Sequence, residues 1–178
     1  MRVLTFLLGA LLALPAFAQE DALRDLPGYI DFGRLSQTYG EPKVEIALGE
    51  PLIQFVSALS AEDEPETAEL LRKLRGVSVR VYDTAGEPDA ALAQIHEVSS
   101  MLQSQAWAPI VRVREEGERV DIYVKMAGEA IDGLVVMAAG DDNEAVFVNV
   151  IGSIRPDELQ RVMDSFDMDV GDIEVDLP

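Results

Sequence analysis

The sequence has no cysteine and only one histidine, His96, among its 178 residues. Without cysteine the chain cannot form disulfides, thiolate nucleophiles, cysteine-ligated zinc sites or a lipidated N-terminal cysteine. Basic residues are also scarce, since 14 lysines and arginines stand against 33 aspartates and glutamates, for a net charge of −19. A chain this acidic repels phosphate over most of its surface, so nucleic acid is not expected as a partner.

The first 18 residues have the pattern of a cleavable export signal. Arg2 precedes an apolar run at 3–14, which is followed by Pro15 and the small-residue site Ala16-Phe17-Ala18. The run is shorter than the ~20 residues that cross a bilayer, and no later segment is long and uncharged enough to do so. We therefore expect cleavage after Ala18 and a periplasmic protein without a membrane span.

The remaining chain divides into an N-terminal leader at 19–40, a single domain at 41–166 and an acidic tail at 167–178. A composition of 48% hydrophobic and 26% charged residues is typical of one globular domain. Alternation of apolar and polar residues predicts strands at 43–48, 77–82, 110–114 and 119–126. Two mainly apolar runs between turn-rich segments predict two more, at 133–139 and 145–151.

Helical spacing predicts helices at 51–59, 65–75, 88–106 and 155–166. The last of these carries Leu159, Val162, Met163 and Phe166. Because the last four strands follow one another through short, turn-rich connections, we expect a mainly antiparallel sheet. The fold class is therefore α+β, with helices packed on one face of the sheet.

Two sheet faces are distinguished by the alternation within the strands. Valines and isoleucines share one face, which we expect the helices to cover. The opposite face then collects a cationic patch, which consists of Arg80, Tyr82, Arg112, Arg114, Tyr123 and Lys125. This patch has two interpretations: a solvated sheet face whose arginines pair with acids such as Asp121, or a docking surface for an anionic partner.

The last two predicted strands are apolar on both faces, at 134–138 and 145–151. Central strands within a monomer have this pattern, and so does a surface for self-association.

Four segments in succession resemble one known family. They are LRKLRGVSVRVY (71–82), WAPIVRVREEGERVDIYVK (107–125), IDGLVVMA (131–138) and VNVIGSI (148–154). Together they resemble the bacterial envelope family known as domain of unknown function forty-two fifty-two, over about residues 32–166. The resemblance implies an exported accessory protein with no established activity, and therefore no catalytic residues to transfer. Many relatives look like lipoproteins, whereas this chain lacks the cysteine that lipidation requires.

Candidate catalytic and metal-binding residues are few. His96 lies in a predicted helix, and Glu97 points about 100° away around that helix, so the two do not form a dyad. The acidic segment at 140–144 offers oxygen ligands for calcium, but its composition is also that of a hairpin turn. The acids of the tail miss the spacing of a calcium-binding loop. We therefore assign no catalytic, cofactor-binding or metal-ligating residue.

The favoured function is a non-enzymatic interaction module that binds another envelope protein or a second copy of itself. Two alternatives are a carboxylate-dependent envelope hydrolase and a carrier of small ligands. An acidic pair in a deep cleft favours the hydrolase, and an enclosed apolar cavity favours the carrier.

Overall fold

The fold is known from a computed structural model, which describes residues 21–32, 35–84, 88–115, 117–140 and 143–155. Six strands form one antiparallel sheet in the order β1-β2-β6-β5-β4-β3. Their bounds are β1 Val44–Gly49, β2 Leu74–Asp83, β3 Ala108–Glu115, β4 Glu118–Ala127, β5 Ala130–Ala139 and β6 Glu144–Ile154. The predicted α+β class and all six predicted strands are confirmed.

The helices are α1 Ser36–Tyr39, α2 Glu50–Ser60, α3 Pro65–Leu71 and α4 Pro88–Ser104. Three of them match predicted helices, but α3 ends four residues before the predicted end at Arg75. The reason is that β2 begins at Leu74, where it pairs with Gly152 of β6. Sheet pairing thus overrides the helical spacing at this junction. The predicted helix at 155–166, apart from Arg155, the acidic tail and the export signal lie outside the described residues.

One face of the sheet is covered by α4 and by the segment 21–39. From α4, Ala91, Ile95, Val98 and Leu102 are buried in a core cluster with side chains of β2, β4, β5 and β6. From the sheet, the cluster includes Tyr82, Tyr123, Val135, Met137 and Phe147, all fully buried. We refer to this side as the aromatic face.

The segment 21–39 lies within the predicted N-terminal leader and supplies Ile30, Phe32 and Leu35 to the same cluster. Its anchor is the buried amide of Asn149 on β6. The Asn149 Oδ1 atom accepts a hydrogen bond from the Ile30 backbone N–H at 2.9 Å, and its Nδ2 atom donates to the Gly28 carbonyl at 3.0 Å. Nδ2 also donates to the Leu134 carbonyl at 3.2 Å, so one side chain joins the segment to two strands.

The helices were expected on the valine side of the sheet, whereas α4 packs on the opposite side. The physical reason lies in side-chain length. Tyr82, Tyr123 and Phe147 reach far enough from the sheet to fill the space beneath a helix, and aromatic side chains bury more area than valine. The polar tips of the two tyrosines also have partners there, Ser36 Oγ for Tyr82 at 3.4 Å and Gln103 Nε2 for Tyr123 at 3.2 Å.

Candidate interaction surfaces

The first candidate surface is formed by Arg112 and Arg114 on β3, which we call the arginine edge. β3 is the last strand of the sheet, and both arginines are exposed. Period-two alternation directs both side chains toward the same side of the sheet as Tyr123. In the part of the chain that the structure describes, neither guanidinium forms an ion pair with a carboxylate.

Arg112 is held in place by Tyr123. Its Nη2 atom donates a hydrogen bond to the Tyr123 hydroxyl at 3.1 Å, and its Cζ atom lies 5.7 Å from the centre of the tyrosine ring. Tyr123 itself is fully buried, and its hydroxyl also accepts from Gln103 of α4. The buried Tyr123 side chain therefore orients the Arg112 guanidinium, while Arg112 remains exposed to solvent.

Lys125 occupies the neighbouring position of the same face on β4. Its Nζ atom lies 5.8 Å from the centre of the Trp107 ring, a cation–π arrangement. Trp107 is buried where the chain passes from α4 into β3. Its backbone N–H donates to the Leu102 carbonyl at 3.0 Å, and Ala106 adopts a left-handed φ of 63°. Such a helix end fixes the direction in which the next residue enters the sheet.

Arg80 and Tyr82, the other two members of the cationic patch, lie elsewhere. Both are on β2, which is separated from β4 by β6 and β5, a distance of about 14 Å at ordinary strand spacing. Arg80 is only 5% exposed, and its Nη2 atom lies 3.0 Å from Glu45 on the paired strand β1. Tyr82 is fully buried, with its ring centre 5.2 Å from that of Tyr39. The structure thus groups Arg112, Arg114, Tyr123 and Lys125 and places the other two apart.

A buried ion pair lies beside this group, and it pairs Asp121, which the sequence suggested as an arginine partner, with Arg119, which it did not. Arg119 donates to Asp121 Oδ2 from Nη2 at 2.6 Å and from Nε at 3.1 Å. Ser99 of α4 donates to the same oxygen at 3.0 Å. Arg119 and Asp121 are two residues apart on β4 and therefore on one face, and that spacing was the available signal. The carboxylate is fully buried and charge-paired, which makes it an anchor between α4 and the sheet.

The single histidine is not part of this cluster. His96 is exposed on α4, whereas Ser99 is buried under the same helix, so the two side chains face different surroundings. Among the described residues, no three histidine, aspartate or glutamate side chains are close enough to hold a metal ion. Of the calcium candidates, residues 141–142 of the segment 140–144 and the tail acids at 167–176 lie outside those residues. Within the same ranges, no helix has the length and apolar character that a membrane crossing requires.

The second candidate surface is the opposite side of the sheet, which we call the valine face. Strand pairing aligns its side chains in three rows, each with one residue from every strand. Every position in all three rows is apolar. The rows are Val44-Val81-Val146-Ala138-Val120-Val113, then Ile46-Val79-Val148-Val136-Ile122-Val111, and then Leu48-Val77-Val150-Leu134-Val124-Ala108.

Exposure varies systematically across the valine face. The first two rows are open at the β1 edge, where Val44 and Ile46 are about two-fifths exposed. The third row is buried in its middle, with Leu134 at 4% and Val124 at 2%. Ile154, the last residue of β6, belongs to the same buried cluster. The most protected side chains of this face are Ile122, Val124, Ile131 and Ile154, each at most 2% exposed.

Comparison with known proteins gives one family. The family model described as Domain of unknown function (DUF4252) matches residues 39–162, which is more than half of the chain. The match includes every strand and begins after most of the segment that Asn149 anchors. A search of curated proteins gives no match.

Proposed function

Since the chain belongs to this family, whose description assigns no activity, we propose a function from its geometry: a non-enzymatic interaction module, exported to the periplasm, whose arginine edge binds an anionic protein. One observation carries the proposal. A chain with a net charge of −19 presents two exposed guanidinium groups side by side on an edge strand. Local positive charge on an acidic protein favours partners that carry the opposite charge.

The contacts around Arg112 support the proposal further. Because Tyr123 already holds the guanidinium through a hydrogen bond and a ring contact, Arg112 loses less conformational freedom when a partner binds. A planar guanidinium matches a carboxylate with two parallel hydrogen bonds, which adds geometric selection to charge. Lys125, held above Trp107, adds a third positive charge on the same side of the sheet.

The export part of the proposal rests on the first 18 residues. Their single charge, short apolar run and small-residue site together favour cleavage after Ala18. N-terminal sequencing of the protein purified from periplasm is expected to begin at Gln19. A protein that still begins at Met1 contradicts the export proposal and leaves the proposed binding surface to be tested separately.

The binding experiment compares three forms of the mature protein as bait in a periplasmic extract. They are the wild type, Arg112→Glu/Arg114→Glu and the matched control Arg72→Glu/Arg75→Glu. Both double variants change the net charge by −4 at exposed arginines. The control also removes the exposed Arg75–Glu50 ion pair, 3.9 Å long, which contributes at most about 1 kcal/mol. Retained proteins are quantified by mass spectrometry after the three baits are shown to have the same melting temperature.

At low salt we expect the arginine-edge variant to lose an anionic partner that the wild type and the control retain. At ~1 M salt the Debye length falls to ~3 Å, so the difference between the baits should largely disappear. Arg112→Lys, which keeps the charge but not the guanidinium plane, should give an intermediate recovery. Equal recovery with the wild type and Arg112→Glu/Arg114→Glu at low salt refutes the proposed surface.

A further inference from the structure

We propose that the arginine edge binds its partner as an added strand: an extended segment of another protein, in which acidic and apolar residues alternate, pairs along the outer side of β3. Strand addition rests on the proposed function and deepens it, because it states the conformation and the sequence pattern of the anionic partner. Backbone hydrogen bonds then hold the partner together with the ion pairs to Arg112 and Arg114.

The outer side of β3 is open along the second half of the strand. β3 pairs with β4 on one side, and in the part of the chain that the structure describes no strand pairs with its other side. Residues 112–115 are all exposed. An edge strand carries a row of backbone N–H and C=O groups that point away from the sheet, and another extended chain can pair with them.

The side chains of β3 determine which residues an added strand should carry. Arg112 and Arg114 are two residues apart on one side of the sheet, about 7 Å at ordinary strand geometry, and acids at alternate positions of an added strand have the same spacing. On the other side, Val113 ends the first row of the valine face and is 37% exposed. An apolar residue between the two acids would extend that row and cover Val113. Glu115 follows on the same side as Val113, where it repels an acid and so favours the same orientation.

Charge also distinguishes a foreign acidic strand from a second copy of this protein. Antiparallel pairing of two β3 strands centred on either arginine places like charges directly opposite each other, which is destabilising. Pro109 and the irregular register between Pro109 and Val111 interrupt the ladder at the start of β3, and such features limit pairing between identical edges. Both features disfavour a second copy, whereas residues 112–115 stay in regular register for an acidic strand.

The first test measures the binding of a short fluorescent peptide in which aspartate and valine alternate, by anisotropy at low salt. The mature wild type and the control Arg72→Glu/Arg75→Glu should bind it equally, and Arg112→Glu/Arg114→Glu should not bind it. An isomer with all its aspartates in one block has the same charge without the spacing, and it should bind more weakly. Equal binding of the alternating peptide to the wild type and to Arg112→Glu/Arg114→Glu refutes the arginine edge itself, and with it the proposed function.

The second test separates strand addition from simple charge attraction. Alternate N–H groups of an extended chain point to the same side, so an added strand donates from one alternate set and leaves the other set in solvent. N-methylation of one set in the peptide should weaken binding at least about tenfold, because several hydrogen bonds are lost, and methylation of the other set should change it less than about threefold. Equal effects of the two methylated sets overturn strand addition while the charged surface stands. Equal affinity of the block isomer, or no binding of the alternating peptide to the wild type, overturns it as well.

The third test locates the added strand by amide hydrogen exchange, resolved to single residues by NMR. Alternate amides within 112–115 should exchange rapidly in the free protein and become protected when the alternating peptide is added. The amides of β1, the other edge of the sheet, should not change, since β1 carries Glu45 and no arginine. Protection of all the amides within 112–115 in dilute free protein assigns the edge to another part of this chain, and protection that grows with protein concentration assigns it to a second copy. Either result overturns the proposal.

Discussion

The substitution Gly28→Ala, which adds one methyl group, tests how closely the segment 21–39 packs against the sheet. Its φ is +85°, and its backbone lies against that of β5. A Cβ atom added there would lie 2.8 Å from the Asp132 carbonyl carbon and 2.9 Å from Gly133 Cα, and closer still to the Asp132 carbonyl oxygen. Because these atoms belong to a paired strand, they cannot move aside as a flexible side chain could.

The expected cost of Gly28→Ala has two parts. Left-handed backbone costs a non-glycine residue roughly 1–2 kcal/mol, and forced overpacking costs roughly 1–3 kcal/mol more. Displacement of Gly28 also weakens the hydrogen bond from Asn149 to its carbonyl, worth about 1 kcal/mol. The free energy of unfolding should therefore fall by roughly 3–6 kcal/mol.

The matched control is Gly128→Ala in the turn between β4 and β5. Gly128 also has a positive φ, +65°, but nothing lies within 4 Å of its added Cβ atom. The control should therefore lose only the conformational part, about 1–2 kcal/mol. Urea unfolding followed by circular dichroism measures both changes, and for a domain of this size each kcal/mol corresponds to about 2–4 °C in melting temperature. Equal losses in the two variants would refute the reasoning, since they would show that the close approach of Gly28 to β5 carries no energetic weight.

Three further predictions concern titratable side chains. Burial, with a smaller contribution from Tyr82, raises the pKa of Tyr39 to about 12 from its ordinary 10.0. Folding therefore favours the neutral phenol, and this contribution to the free energy of unfolding is complete below pH 10 and is lost as the pH rises to 12. Over that pH range, Tyr39→Phe should lose less melting temperature than the wild type does. Arg119→Met leaves the Asp121 carboxylate buried without its cation and should lower the free energy of unfolding in urea by about 3–5 kcal/mol. The double variant Arg119→Met/Asp121→Leu should recover most of that free energy, and no recovery would show that the unpaired carboxylate was not the cause of the loss. His96→Asn should leave both the melting curve and partner recovery near wild type, and a loss of recovery in a stably folded variant would contradict its exclusion from the site.

The strands were predictable because alternation is a local signal. Val77, Val79 and Val81 alternate with polar residues within β2, and β4 shows a similar period, whereas β5 and β6 were recognised as apolar runs between turns. Alternation shows that two faces differ but does not show which face a helix covers. Arg80 looked exposed on its own strand, and its burial depends on Glu45, which is 35 residues away and opposite it only after β1 and β2 pair.

The burial of the segment 21–39 could not be predicted for a similar reason. Its apolar residues are few and irregularly spaced, so no period marks a helix or strand. What holds it is the Asn149 side chain, whose bonds to Ile30 and Gly28 join residues 119 and 121 positions apart. The arginine edge was only partly foreseen: alternation identified Arg112 and Arg114, but the hydroxyl and ring of Tyr123 that orient Arg112 required the paired register of β3 and β4.

The central place of β6 in the sheet has a consequence for when the protein can fold. Among the described strands, β6 is the last to leave the ribosome, yet it pairs with β2 on one side and β5 on the other. It also carries Asn149, which binds the segment 21–39. Neither the first strands nor that segment can reach their final positions until residue 149 has been synthesised. Long-range pairing of this kind slows folding, because the chain must close large loops before it gains contacts. With this strand order, the β1–β2 pair and the β3–β4–β5 meander can form separately, but they become one sheet only when β6 is inserted between β2 and β5.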